Sequence, residues 1–150
     1  LYKKSAAYKD KEMTLPSPAL ADGSLDFSFS GLKTAAINLL HRFEQTGEEF
    51  GKADVAASFV ESAVTGVITK LNLALDAHPE IRSLALAGGV AANSHLRREV
   101  GKVCEKKKVG FTCPPLSLCG DNAAMIAAAG YFKFLDGKTA DTSLNASALD

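Results

Sequence analysis

Gly88, Gly89 and Asn93, joined further along the chain by Asp121, are the residues whose types and spacing could do chemistry. The apolar run Leu84-Ala85-Leu86-Ala87 breaks on the paired glycines and passes through Val90-Ala91-Ala92 to an asparagine at the mouth of a helical pattern. Two successive glycines remove the Cβ atoms that would hold another molecule off the backbone, and they allow φ > 0. The helix that follows offers unpaired N–H groups and a partial positive charge. A nucleotide-like ligand could lie against the main chain there. The same residues also suit an ordinary strand-to-helix turn with Asn93 as its N-cap.

Asp121 follows Gly120 at the start of an alanine-rich helical pattern. Its carboxylate could cap that helix, or it could give one oxygen to a metal ion. One carboxylate is not a metal site. His41, His78 and His95 are too scattered to form a ligand pair on one helix, and no H-E-x-x-H occurs. Gly137-Lys138-Thr139 imitates the end of a P-loop, but Phe132 stands where its first glycine belongs and a helix precedes it. Ser28-Phe29-Ser30-Gly31 lacks the leading glycine of a nucleophile elbow. Cys104, Cys113 and Cys119 are odd in number and form no C-x-x-C, which suggests neither a disulfide framework nor a zinc site. They fit a reducing cytoplasm. Cys119 has no histidine placed to activate it and is expected to be a small buried residue.

The elements that position these residues follow from periodicity. Leu25, Phe27 and Phe29 alternate with Asp26, Ser28 and Ser30, which predicts a half-buried strand ended by Gly31. From Leu32, apolar residues at Ala35, Ala36, Leu39, Leu40 and Phe43 predict a helix stopped at Gly47. A longer helix is expected from about Ala53 to Ala77, closed by His78-Pro79. Burying its stripe of valines, leucines and Phe59 is worth roughly 1.5–3 kcal/mol per large side chain, so something must cover it. Ser83–Ala87 reads as a strand buried on both faces. A helix from about Ala92 to Lys106 follows, with Leu96, Val100 and Val103 inward. Val109–Cys113 is a short strand that Pro114-Pro115 cannot continue. The last helix spans Asn122–Leu135, and residues 1–10 resemble the end of another. The β–α–β–α order after Ser83 indicates an α/β fold with parallel pairing.

The chain has 150 residues and 47% hydrophobic content, enough for one domain's core. Acidic and basic residues balance at 17 each, so no overall field draws in nucleic acid. The local exception is Arg97, Arg98, Lys102, Lys106, Lys107 and Lys108, either a solvated helix face or an RNA-facing edge. No apolar run approaches membrane-spanning length, and a cytoplasmic protein without membrane partners is expected. Asn145-Ala146-Ser147 matches a glycosylation triplet by coincidence. The chain opens at Leu1 and is expected to be a piece of a longer protein.

Three stretches taken together resemble one family. They are Asp26-Phe27-Ser28-Phe29-Ser30-Gly31-Leu32-Lys33-Thr34, Gly88-Gly89-Val90-Ala91-Ala92-Asn93 with Leu96-Arg97, and Cys119-Gly120-Asp121-Asn122-Ala123-Ala124-Met125-Ile126. In order and spacing they are similar to the TsaD (Gcp, OSGEP) family, over nearly the whole chain and matching its C-terminal portion. The resemblance implies a partial actin-like ATPase (ASKHA) fold, with residues 1–150 as the C-terminal part of the module. It implies transfer of threonylcarbamoyl from threonylcarbamoyl-AMP to N6 of the adenosine beside the tRNA anticodon. Asn93, Gly88 and Gly89 would contact the adenylate. Asp121 would be one ligand of a divalent metal, Fe2+ or Zn2+, acting as a Lewis acid. Implied partners are tRNA and the sister subunits of the transfer complex, TsaB and TsaE in bacteria or the KEOPS subunits otherwise.

The departures limit this. The family's H-x-x-x-H motif and S-G-G-H-T segment are absent, so the chain alone is expected to be inactive. Gly120 stands where the family usually has threonine, and Ser28–Thr34 takes no assigned chemical role. A non-catalytic ASKHA-type partner subunit, or another ASKHA kinase, are the alternatives.

Overall fold

The computed structural model describes residues 13–145, so the helical pattern expected over residues 1–10 lies outside the described residues. The described residues form four helices and a two-stranded sheet: α1 (Phe29–Thr46), α2 (Lys52–Ala77), β1 (Ser83–Ala85), α3 (Ser94–Lys107), β2 (Gly110–Thr112) and α4 (Ala123–Leu135). Single 3-10 turns at Gly89–Ala92 and Leu116–Leu118 follow the two strands.

Helix α2 is the spine. Near its start Val55 joins Leu15, Leu32, Leu39 and Phe43 in one core against α1. Further along, Val64 packs with Leu96, Val100 and Cys104 of α3 in a second core. The stripe therefore finds two covers, one for each half of its length. Helix α1 stops where glycine permits the left-handed turn: Gly47 sits at φ 69°. Helix α3 ends on Lys108 at φ 57°, whose N–H returns to the carbonyls of Cys104 and Glu105.

Two expectations fail. Leu25–Ser30 does not form a strand: Phe27 makes one antiparallel bridge with Ala19, and α1 already begins at Phe29. Six alternating residues are equally the entry to a helix, and here Ser28 N–H donates to the Pro18 carbonyl at 2.8 Å instead of to a neighbouring strand. The strand beginning at Ser83 is not buried on both faces. Leu84 and Leu86 are half-buried against α3, whereas Ala85 and Ala87 are exposed, because the described helices cover only one side of the sheet. β1 and β2 do pair in parallel, Leu84 opposite Phe111, with α3 as the crossover.

Pro18 is fully buried and lies hard against α2 at Gly66. A Cβ on Gly66 would fall 2.6 Å from both Cγ and Cδ of that ring. Gly66→Ala gains up to about 1 kcal/mol of helix propensity, but overpacking against a rigid ring costs about 1–3 kcal/mol. The expected outcome is net destabilisation, seen as a lower denaturation midpoint. A midpoint at or above wild type would show that the Pro18 segment yields.

Candidate functional site at the C-terminal edge of the sheet

Both turns singled out in the sequence leave the same edge of the sheet, because parallel strands point their C-terminal ends in one direction. After β1, Leu86 N–H extends the ladder to the Thr112 carbonyl at 2.9 Å, and the chain then turns on Gly88. Gly88 lies at φ 86°, ψ 174°, a conformation open essentially to glycine alone. Gly89 needs no such freedom. A Cβ at either position would meet nothing within 4 Å, so the backbone here faces open space.

Asn93 caps α3. Its Oδ1 accepts from His95 N–H at 2.9 Å and Leu96 N–H at 3.0 Å. Two of the helix's first donors are thus already satisfied by the chain itself, which leaves fewer of them for a ligand than the sequence suggested. Asn93 is also the one polar residue lining a cavity of about 340 Å³ between α2 and α3. Phe29, Phe59, Val60 and Val90 contribute its apolar walls.

Asp121 does not cap α4. That task falls to Asn122, whose Oδ1 accepts from Met125 N–H at 2.9 Å and whose Nδ2 donates to the Gly120 carbonyl at 3.0 Å. Among the described residues the exposed Asp121 carboxylate makes no hydrogen bond or ion pair. No group of three or more His, Cys, Asp or Glu able to hold a metal occurs among the described residues. The donors present do not amount to a metal site, since Asp121 supplies one carboxylate and no such group stands with it among the described residues.

Arg97 does not belong to a solvated basic face, contrary to its grouping in the sequence. It is half-buried, and its side chain folds back beneath the turn. Nε donates to the Ala91 carbonyl; Nη2 donates to the Pro114 carbonyl at 2.7 Å and to Cys119 Sγ at 2.8 Å. One guanidinium therefore holds the residue two before Asn93 and the residue two before Asp121. Cys119 is buried, as expected, and serves as an acceptor here. No sequence signal marks this contact beyond the place of Arg97 four residues after Asn93.

Of the five other cations in the basic group, three find carboxylate partners among the described residues. Lys102 and Arg98 both pair with Glu99, and Lys107 pairs with Asp76. The hydrogen bond from Lys102, then that from Arg98, hold the Glu99 carboxyl below its ordinary range. His95 is a packing residue between helices, with Nε2 3.2 Å from Glu61 Oε2.

The family described as tRNA N6-adenosine threonylcarbamoyltransferase (TsaD) matches residues 1–128. The chain belongs to the TsaD family. Among curated relatives, the protein of that name from Moorella thermoacetica is 48% identical over 136 residues, covering 91% of this chain and 40% of the relative. Those from Bacillus thuringiensis strain Al Hakam and Geobacillus thermodenitrificans are 48% and 50% identical over 134 residues, each covering 89% of this chain and 39% of the relative. The chain thus spans about two fifths of the length of the relatives it matches. All three TsaD relatives are named as tRNA N6-adenosine threonylcarbamoyltransferases. The matched region contains Gly88, Gly89, Asn93, Arg97 and Asp121. No helix among the described residues is long and apolar enough to cross a membrane.

Proposed function

We propose that this chain is the C-terminal part of an enzyme that moves threonylcarbamoyl from threonylcarbamoyl-AMP to N6 of the adenosine beside the anticodon of tRNA. The single observation that carries the reading is the guanidinium of Arg97, bonded at once to the turn before Asn93 and to the loop before Asp121. Tying those two segments together through one side chain supports reading Asn93 and Asp121 as parts of one site.

Each residue then has a stated task. The Gly88-Gly89 backbone, open to its front, lets the phosphoryl end of an adenylate approach the main chain. The apolar cavity beside Val90 is large enough for a purine, with Asn93 as its one polar lining residue. Asp121 contributes one oxygen to a divalent metal, iron or zinc, whose other ligands come from outside this chain. Such a metal, when bound, polarises a carbonyl. The chain's own part is to hold the adenylate and that one carboxylate in fixed relation.

An ASKHA-type fold, in which this segment closes against a second half, is supported by α4. None of its residues is buried: Ile126, Phe132 and Phe134 are about two-thirds exposed. An apolar helix with no cover among the described residues is unlike the surface of a finished domain. The sister subunits of the transfer complex are the proposed protein partners, and the cytoplasm is the proposed location.

The test is a transfer assay. Full-length protein with its sister subunits, threonylcarbamoyl-AMP and unmodified tRNA is expected to yield the modified nucleoside, quantified by mass spectrometry. The 150-residue chain alone is expected to yield none. Transfer of an ATP γ-phosphate to a small substrate, without tRNA modification, would support a kinase instead.

A further inference from the structure

We infer that Arg97 is a positioning residue, a strut that sets the distance between the adenylate turn and the Asp121 loop; this rests on the function proposed above. All three of its side-chain bonds run to those two segments and none to a carboxylate. A cation half-buried among neutral acceptors forgoes the partner that would stabilise it most. What it gains instead is geometry. The planar fork presents Nε toward Ala91, which is fully buried, and Nη2 toward Pro114 and Cys119. A lysine has one ammonium on a flexible stem and cannot span both sides in fixed orientation.

The position of Arg97 in the chain makes the strut stiff. Its N–H donates to the Asn93 carbonyl at 3.0 Å, so the guanidinium is anchored in the same helical turn that Asn93 caps. On the far side the Leu116–Leu118 turn and the Asn122 cap fix the loop that bears Asp121. A shift of Arg97 therefore moves one of these two segments relative to the other. Misplacing reacting groups by about 1 Å can cost about 100-fold in rate.

Arg97→Gln and Arg97→Lys in the full-length protein test this through two readouts. In the transfer assay, kcat is expected to fall about 100-fold in both variants. KM for threonylcarbamoyl-AMP is expected to change far less, because the adenylate turn itself persists. The lysine variant is expected to recover the thermal midpoint without recovering kcat. In ligand-free hydrogen exchange, Arg97→Gln is expected to speed exchange in both the Gly89–Ala92 turn and the Leu116–Cys119 segment. Loss of protection confined to one segment overturns the strut, as does a kcat that follows the folded fraction. A wild-type protein with no transfer activity would sink the functional proposal alone, since the exchange pattern still decides the role of Arg97.

Discussion

Asp121→Ala in the full-length protein is expected to remove most of the bound metal while leaving the fold intact. Substitution of an exposed side chain away from caps and cores usually changes stability by no more than about 0.5 kcal/mol. Asp121 meets that description: it is exposed, it makes no bond among the described residues, and Asn122 holds the helix entrance in its place. Metal content by elemental analysis should therefore drop well below one per protein, with the thermal midpoint unmoved and transfer falling together with the metal. Asp121→Asn separates charge from shape and should behave almost as Asp121→Ala does, since iron and zinc sites take a charged carboxylate oxygen and a neutral amide lacks that charge. Unchanged metal content in either variant would remove Asp121 from the ligand set. A lowered midpoint would show instead that the carboxylate supports the loop.

Elements governed by long apolar periods were legible in the sequence. The Val55-to-Leu75 stripe placed α2 to within a residue of Lys52–Ala77, and Gly47 stopped α1 where expected. The β–α–β order around Asn93 also held, because Gly88 and Pro114 punctuate it on both sides. Short segments were less legible. Phe27 and Phe29 stack with ring centroids 5.5 Å apart, across the junction where a bridge gives way to a helix. Alternation over six residues cannot separate that junction from a strand, and the decision came from Pro18, ten residues earlier.

Within the candidate site, residue types were readable but their partners were not. Asn93 is the helix cap that the sequence allowed, and it also lines a cavity that no local pattern encodes. Asp121 loses the capping role to its neighbour, since Asn122 has both an acceptor and a donor for the turn whereas a carboxylate has acceptors only. Arg97 was grouped with cations that lie near it in sequence. Only the parallel pairing of β1 and β2 brings Pro114 and Cys119 beneath it, and no local pattern encodes that contact.

Asn93→Asp should separate the structural task of this residue from its proposed contact with the adenylate. The cap uses Oδ1 alone, accepting from His95 and Leu96, and an aspartate offers the same acceptor in the same place. Its charge also suits the positive end of α3, worth about 0.3–1 kcal/mol. Stability should therefore match or exceed wild type, whereas Asn93→Ala should lose about 1 kcal/mol with the cap. Ligand affinity should move the opposite way. The aspartate lacks the amide donor and sets a negative charge toward an anionic adenylate. Loss of a hydrogen bond to a neutral purine costs about 0.5–1.5 kcal/mol, or roughly 2- to 12-fold in affinity, before the added charge is counted. Calorimetric titration of the full-length variant with AMP should show that weakening beside an unchanged or raised thermal midpoint. An Asn93→Asp protein that binds AMP as tightly as wild type would leave Asn93 a helix cap and nothing more.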